Sequence, residues 1–587
     1  MINLSRAALL AASLSLATPV IMQTPAYAQV ATSASDDLGM HAVVSIPTVT
    51  AVDSSMSESQ IKDLFTGNFL AHTDDLARLT AARITIPEIT LKISASGGGE
   101  TFDSSATYRD IVLTNIRDGY AEQVTIGSTE SVSQDGTSTS NSLTQDGFDI
   151  KRLLELVGLA KGDPNAAAKP VYNAITTTGG THRGALYNCD IGDVQGTAFS
   201  AKANSVALAD VIAIIDQYKG ADAPPPEALS VLVTYISDIV RGVSGGAGSV
   251  GTIACEVPGE VPVKIGIAGI STDGFEPAIY PDVRISGVSV DAGAMGAGAL
   301  GEFVLKHIDF NPTFDALDAG KNQLTEDWFQ SNWRLLLPSF GGFSFADLDI
   351  DAPNPDKPDE RLAAKVGAVD LSLGNYVFGI PTDISFTGRG IEVPVPERSG
   401  DPQLEALRAA GVTGVNLGFD VVAAWDEASS TINVGKIALG ALDLGSLSIS
   451  ATLGNATDQL FAVNSDVAMN AAFQVMVKDV TINVTDDGVG KLAWPLMAEE
   501  QGKTDVEAYR TEMAGFAEGL ALQLLGSTDA ARQLGAAVGD FVTGRKGNVT
   551  ITITAKDPNG IPLAYFVAAQ DDPSILMGQV EVTGSAN

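Results

Sequence analysis

Between Thr431 and Asn455 apolar residues recur at every second position. Ile432, Val434, Ile437, Leu439, Leu442, Leu444, Leu447, Ile449, Ala451 and Leu453 keep this beat, with a slip at each break. Alternation turns one side of a strand toward a core and the other toward water, so the run predicts long, half-buried antiparallel strands. The same beat occurs at Ile84 to Ile93, Val261 to Ile267, Val283 to Val290, Phe303 to Phe310, Phe473 to Val484 and Val549 to Thr554. Tyr108 to Ile116 and Ala121 to Ile126, with the turn signal Asp118-Gly119 between them, extend the first of these into a meander.

The period changes to that of a helix at fewer places. Ser57-Glu58-Ser59-Gln60 has capping-box spacing and precedes Ile61, Leu64, Phe65 and Phe69, which predicts a helix of three or four turns. Helical patterns follow at 150–160, 207–218 and 227–243, the last two separated by Pro224-Pro225-Pro226. Near the end Thr504-Asp505-Val506-Glu507 has the same capping spacing and opens a helix to about Leu525, and a second runs from Ser527 to Val542. The polar tract 132–147 reads as a mobile loop, 242–251 as a flexible breaker and 293–301 as a flexible hairpin. No repeat of fixed period appears, which argues against a named propeller or solenoid.

The expected fold is therefore β-rich α+β. It has one or more large curved antiparallel sheets, with a C-terminal helical hairpin packed on or beside the sheet. The expected organisation is an N-terminal α+β region over 29–260 and a strand-rich region over 261–587 with a helical insertion at about 495–543.

Residues 1–28 stand apart from both patterns. Arg6 precedes an apolar run from Ala7 to Met22, and Ala26-Tyr27-Ala28 follows, which is the order of a cleaved export signal. The run is short for a membrane span and is broken by Pro19. The expectation is a mature chain without a membrane span, periplasmic or extracellular, beginning at Gln29. The closing Thr583 to Asn587 lacks a terminal aromatic residue and so fits an outer-membrane barrel poorly.

Composition changes the picture in two ways. With 35 basic and 71 acidic residues and a net charge of −36, the chain repels nucleic acid, which is not an expected partner. A hydrophobic content of 45% argues for folding in spite of that charge. In an oxidising compartment the two cysteines, Cys189 and Cys255, read as a disulfide ahead of a catalytic thiol.

Candidate chemistry is sparse. The four histidines, His41, His72, His182 and His307, lie in separate segments without zinc-ligand spacing. His307 reads as a surface residue and His182 as part of a turn. No nucleophile elbow, phosphate loop or dinucleotide fingerprint is present. Asp347, Asp349 and Asp351, followed by Asn354, Asp356, Asp359 and Glu360, could converge oxygen ligands on calcium, although the central glycine of a helix-loop-helix calcium site is missing. The preferred reading of that run is an extended acidic surface loop. Trp328, Phe329 and Trp333 have helical spacing and read as core residues of a helix packed on the sheet.

Gly379-Ile380-Pro381-Thr382, Trp425-Asp426-Glu427-Ala428, Leu453-Gly454-Asn455 and the final Ala586-Asn587 resemble pieces of a group of uncharacterised exported proteins of alphaproteobacteria, over roughly Leu335 to the end. That resemblance brings no catalytic residues. The layout is also similar to envelope proteins that carry lipids along a β-lined groove, by architecture alone.

The expected function is that of an exported, non-enzymatic envelope protein. Its curved sheet would bind a lipid-like hydrophobic ligand or an envelope protein, lined by the inward residues of 431–455 and 473–484, with no cofactor. The alternative is a structural or adhesive surface protein stabilised by calcium. A hydrolase using dispersed carboxylates ranks third.

Overall fold

The computed structural model describes residues 40–65, 69–97, 100–218, 224–353, 361–395, 400–569 and 574–587. The leader at 1–28 and the residues Asn354, Asp356, Asp359 and Glu360 of the candidate calcium run lie outside the described residues. The chain forms two compact units, Met1–Ala297 with Lys306–Pro338, and Gly298–Leu305 with Ser339–Asn587. The expected division at 260/261 therefore falls inside the first unit. The reason is strand pairing, because the strands that follow residue 260 hydrogen-bond to those before it.

The first unit is an antiparallel meander whose sheet order follows the chain. Two short strands, β1 (Met40–Ser45) and β2 (Thr50–Val52), both lie along β3 (Ala81–Gly97). Next come β4 (Glu100–Ile116), β5 (Tyr120–Ile126 and Ser128–Ser133) and β6 (Gly136–Ser140 and Leu143–Asp149). They are followed by β7 (Lys169–Thr177 and Gly180–Gly184) and β8 (Asn188–Ile191 and Val194–Ala201). The meander ends in β9 (Val243–Gly245, Gly248–Val250 and Ile253–Val257), β10 (Val263–Ile267 and Gly269–Thr272) and β11 (Val283–Asp291). Each strand from β3 onward pairs with the next.

The interruptions within these strands are local irregularities of the kind that bend a sheet. At the break in β5, Asp110 of β4 has φ +56° and its side chain lies against Gly127. A Cβ on Gly127 would sit 2.9 Å from the Asp110 Cβ, so glycine is what the approach allows.

Two expectations fail here. The tract 132–147 is a strand hairpin, not a loop. Its polar side chains satisfy one another across strands: Thr139 with Thr181 at 2.8 Å and Ser142 with Thr178 at 2.9 Å. Most of the breaker 242–251 belongs to β9: Val243–Gly245 pairs with β8, and Gly248–Val250 pairs with both β8 and β10.

Helices cover part of the first sheet. The capping box forms, with Ser57 N–H donating to Gln60 Oε1 at 2.9 Å and Gln60 N–H to Ser57 Oγ at 3.3 Å. Helix α1 (Glu58–Phe65) is only two turns long; a 3-10 turn at Phe69–His72 and α2 (Thr73–Ala77) continue the layer. Helix α3 (Ile150–Leu156) starts on Asp149, which accepts from Arg152 N–H at 2.8 Å. Ile61, Leu64, Leu76, Leu153 and Leu154 pack with Ile84, Ile86, Ile111 and Phe148 into the largest core. Helices α4 (Leu208–Gln217) and α5 (Pro226–Gly242) form a smaller one around Leu208, Val211, Tyr235 and Ile239. Helices α6 (Asn311–Gly320) and α7 (Glu326–Asn332) complete the unit; Trp328 is half-buried, but Trp333 is 59% exposed and so is not the core residue its spacing suggests.

The second unit holds another meander in chain order: β12 (Gly342–Pro353), β13 (Arg361–Val377), β14 (Ile380–Pro394), β15 (Gly414–Asp426), β16 (Thr431–Ala441), β17 (Gly445–Gly454), β18 (Met476–Asp486), β19 (Asn548–Ala555) and β20 (Val580–Ala586). Every consecutive pair is antiparallel. Register shifts in four successive pairs, from β14–β15 to β17–β18, bend these strands. Leu442 and Leu444 belong to the β16–β17 turn, which is where the two-residue beat slips. Phe473 ends helix α8 (Ser465–Phe473), so the next strand begins three residues later than expected.

Between β18 and β19 the chain makes α9 (Val489–Glu500), α10 (Val506–Leu525) and α11 (Asp529–Val542). Asp505, one residue later than expected, caps α10 by accepting from Ala508 N–H at 3.0 Å. Thr528 caps α11 through Ala531 N–H at 3.1 Å. Helices α10 and α11 pack as a hairpin, and α11 lies on β19 and β20. Leu534 is the contact: a Cβ on Gly584 would be 2.7 Å from its Cδ1.

Candidate ligand-binding face

The registers of the second sheet line up apolar residues across it. One row runs Phe343, Leu371, Phe386, Val421, Ile437, Ile449, Ile482 and Ile551, each directly opposite the next on adjacent strands. Opposed residues share a face, so the row is a continuous apolar stripe. A second row beside it includes Phe419, Leu439, Leu447, Val484 and Val549. A third, on the other side, includes Ile384, Ala423, Val434, Ala451, Val480, Ile553 and Val582.

This face is covered unevenly. At the β19–β20 end Leu534 of α11 and Leu525 of α10 pack with Ile551, Ile553 and Val582. Over β16 and β17 the first two rows are more open: Leu439 is 60% exposed, Ile437 46% and Leu447 45%, while Val434 and Ala451 of the third are half-buried. Phe386 and Phe419 meet with ring centroids 4.7 Å apart. Neither was singled out by sequence reasoning, although Ile384-Phe386 and Leu417-Phe419-Val421 carry the same alternation.

The opposite face is polar. Asp420 is buried and takes Lys436 Nζ at 2.7 Å and Arg389 Nη2 from the two neighbouring strands. The Lys436 and Arg389 hydrogen bonds hold its carboxyl below the usual range, Lys436 most strongly. Thr550 donates to Asn483 Oδ1 at 2.5 Å, and Thr481 and Thr552 lie 3.4 Å apart. Polar side chains of β14–β16 and β18–β19 thus lie on the face opposite the apolar rows.

The candidate calcium residues are not brought together. Asp349 takes Lys365 Nζ at 2.9 Å, and Asp351 takes Arg361 Nε at 2.6 Å, both from β13. Arg361 lowers the Asp351 carboxyl by its hydrogen bond, and Asp349 raises the Lys365 ammonium in the same way. Asp347 has a left-handed backbone, φ +55°. Among the described residues no three His, Cys, Asp or Glu side chains are grouped as a metal-ligand set.

The cysteines are joined: Cys189 of β8 faces Cys255 of β9 in a disulfide with Cα atoms 4.0 Å apart. His182 lies in strand β7 rather than a turn, stacked on Tyr187, with Nδ1 2.8 Å from Ser138 Oγ. His72 lies 3.3 Å from Asp75 and His307 3.7 Å from Asp282, both single pairs. Among the described residues no helix is long and apolar enough to cross a membrane.

A family model described as "Uncharacterized protein" matches residues 438–587, which span the second half of the β-meander and the helical hairpin. No curated protein and no solved structure matches the chain.

Proposed function

We propose that this is an exported, non-enzymatic envelope protein, periplasmic or released, that binds a lipid-like hydrophobic ligand on the apolar face of its second sheet. The observation that carries this reading is the open stretch over β16 and β17 around Ile437, Leu439 and Leu447 of the first two apolar rows. Leaving Ile437, Leu439 and Leu447 in water forgoes roughly 25 cal/mol per Å² of apolar surface that an acyl chain lying along the strands would recover. The pattern of residues 1–28 and the Cys189–Cys255 bridge support export to an oxidising compartment.

Native mass spectrometry and solvent extraction of the purified protein test the ligand. The expected result is a co-purifying lipid that is lost in Leu439→Lys with Leu447→Lys. Such a change on an exposed face leaves the fold intact, which circular dichroism verifies. Absence of lipid in the wild-type protein, together with no uptake of a fluorescent fatty acid, would overturn the reading. Cell fractionation with N-terminal sequencing tests the address, and Gln29 as first residue of a periplasmic or released form is the expected outcome.

A further inference from the structure

The first unit contains a second feature, independent of that face. Under α1, α2 and α3 the sheet borders a partly open cavity of about 90 Å³ lined by apolar side chains such as Ile61, Leu64, Ile86, Ile111 and Phe148, and by one polar residue, Gln145. Gln145 sits in β6 directly opposite Val124 of β5 and Ile175 of β7, a position where the alternation of the sheet calls for a hydrophobic residue. It is 1% exposed, and its Nε2 has no hydrogen-bond partner.

An unpartnered amide at such depth costs about 1–3 kcal/mol. A water would not relieve it well, because a buried water needs two to four polar partners and this lining supplies one polar side chain. An ionised ligand is disfavoured for the same reason, since no cationic side chain lines the cavity. What fits is an uncharged, mostly apolar molecule with a single acceptor. The cavity is smaller than the roughly 150 Å³ engineered site that admits benzene, which limits the bound part to about the size of a five-membered ring. The partly exposed lining residues Phe65, Phe69 and Leu113 form its rim.

We propose that this cavity is a binding site for a small neutral carbonyl compound, of the ketone or ester class, whose oxygen accepts from Gln145 Nε2 while its hydrocarbon part fills the apolar lining. The acceptor thus gives Gln145 its missing partner, and the lining selects against charge.

Ligand-observed NMR titration of the full chain with cyclopentanone and with cyclopentane tests this, in the wild-type protein and in Gln145→Leu. A hydrogen bond of this kind corresponds to roughly a tenfold change in affinity. The expected result is saturable binding of both probes to wild type, with the ketone-to-hydrocarbon affinity ratio falling about tenfold in Gln145→Leu. No saturable binding to wild type, or a ratio unchanged by the substitution, would overturn the proposal. Gln145→Leu removes a buried unpaired amide and is expected to melt at or above the wild-type temperature. Should it fail to fold, the carbonyl ¹³C shift of cyclopentanone bound to wild type decides. A shift toward hydrogen-bonded values supports the site, and a hydrocarbon-like shift refutes it.

Discussion

Cys189 and Cys255 stand directly opposite each other on adjacent antiparallel strands, and their disulfide joins positions 66 residues apart. The enclosed segment includes the α4–α5 pair with its own small core, so the bridge restricts the unfolded chain over a long stretch. In the chain-entropy model a loop of this length contributes about 4 kcal/mol. Reduction, or the double substitution Cys189→Ala with Cys255→Ala, is expected to lower the first unit's melting temperature while leaving that of the second unchanged. Thermal unfolding with and without reductant measures this. Identical curves would show that strand pairing alone sets the stability of that region.

Glu155 offers a test of the helical layer. Its carboxylate lies 2.5 Å from Arg152 Nη1 with both side chains nearly buried, 6% and 13% exposed, and the Arg152 Nε already lacks a partner. Removing the carboxylate leaves a buried guanidinium uncompensated, a loss of about 3–5 kcal/mol. Glu155→Ala is expected to lower the urea midpoint of the first unit by that equivalent, and Arg152→Met in the same chain to restore most of it. A single variant costing under about 1 kcal/mol would mean that water reaches the arginine.

What could be read from the residues depended on how far apart the interacting groups lie in the chain. The Ser57–Gln60 box was legible because both partners sit within one turn. The alternation in β16 to β19 was legible because a half-buried strand repeats every second residue. The tract 132–147 was not, because its serines and threonines find partners across strands, as Thr139 does with Thr181, and so need no apolar beat. The same polarity hid Gln145, whose apolar neighbours Val124 and Ile175 become visible only once the register is known. Asp349 and Asp351 read as part of an acidic surface loop, with calcium ligation as the lesser reading, yet both lie in strand β12. Their counter-ions, Lys365 and Arg361, arrive from the next strand, a pairing that no spacing within the acidic run encodes.

Tyr108 makes the stability of the first unit dependent on alkaline pH. It is 4% exposed on β4, in the core beside α1 to α3, and burial pushes its phenol up from 10.0 to about 12. The unfolded chain therefore releases this proton at lower pH than the folded one. The contribution is fully present below pH 10 and is lost as pH rises through 12, by about 2–3 kcal/mol in all. Tyr172 is raised by burial as well, so part of the slope belongs to it. Urea midpoints at intervals from pH 8 to 12 should fall in the wild-type protein and fall less steeply in Tyr108→Phe. Equal slopes for the two proteins would mean that Tyr108 ionises as readily in the folded chain as in the unfolded one, and that this part of the core admits solvent.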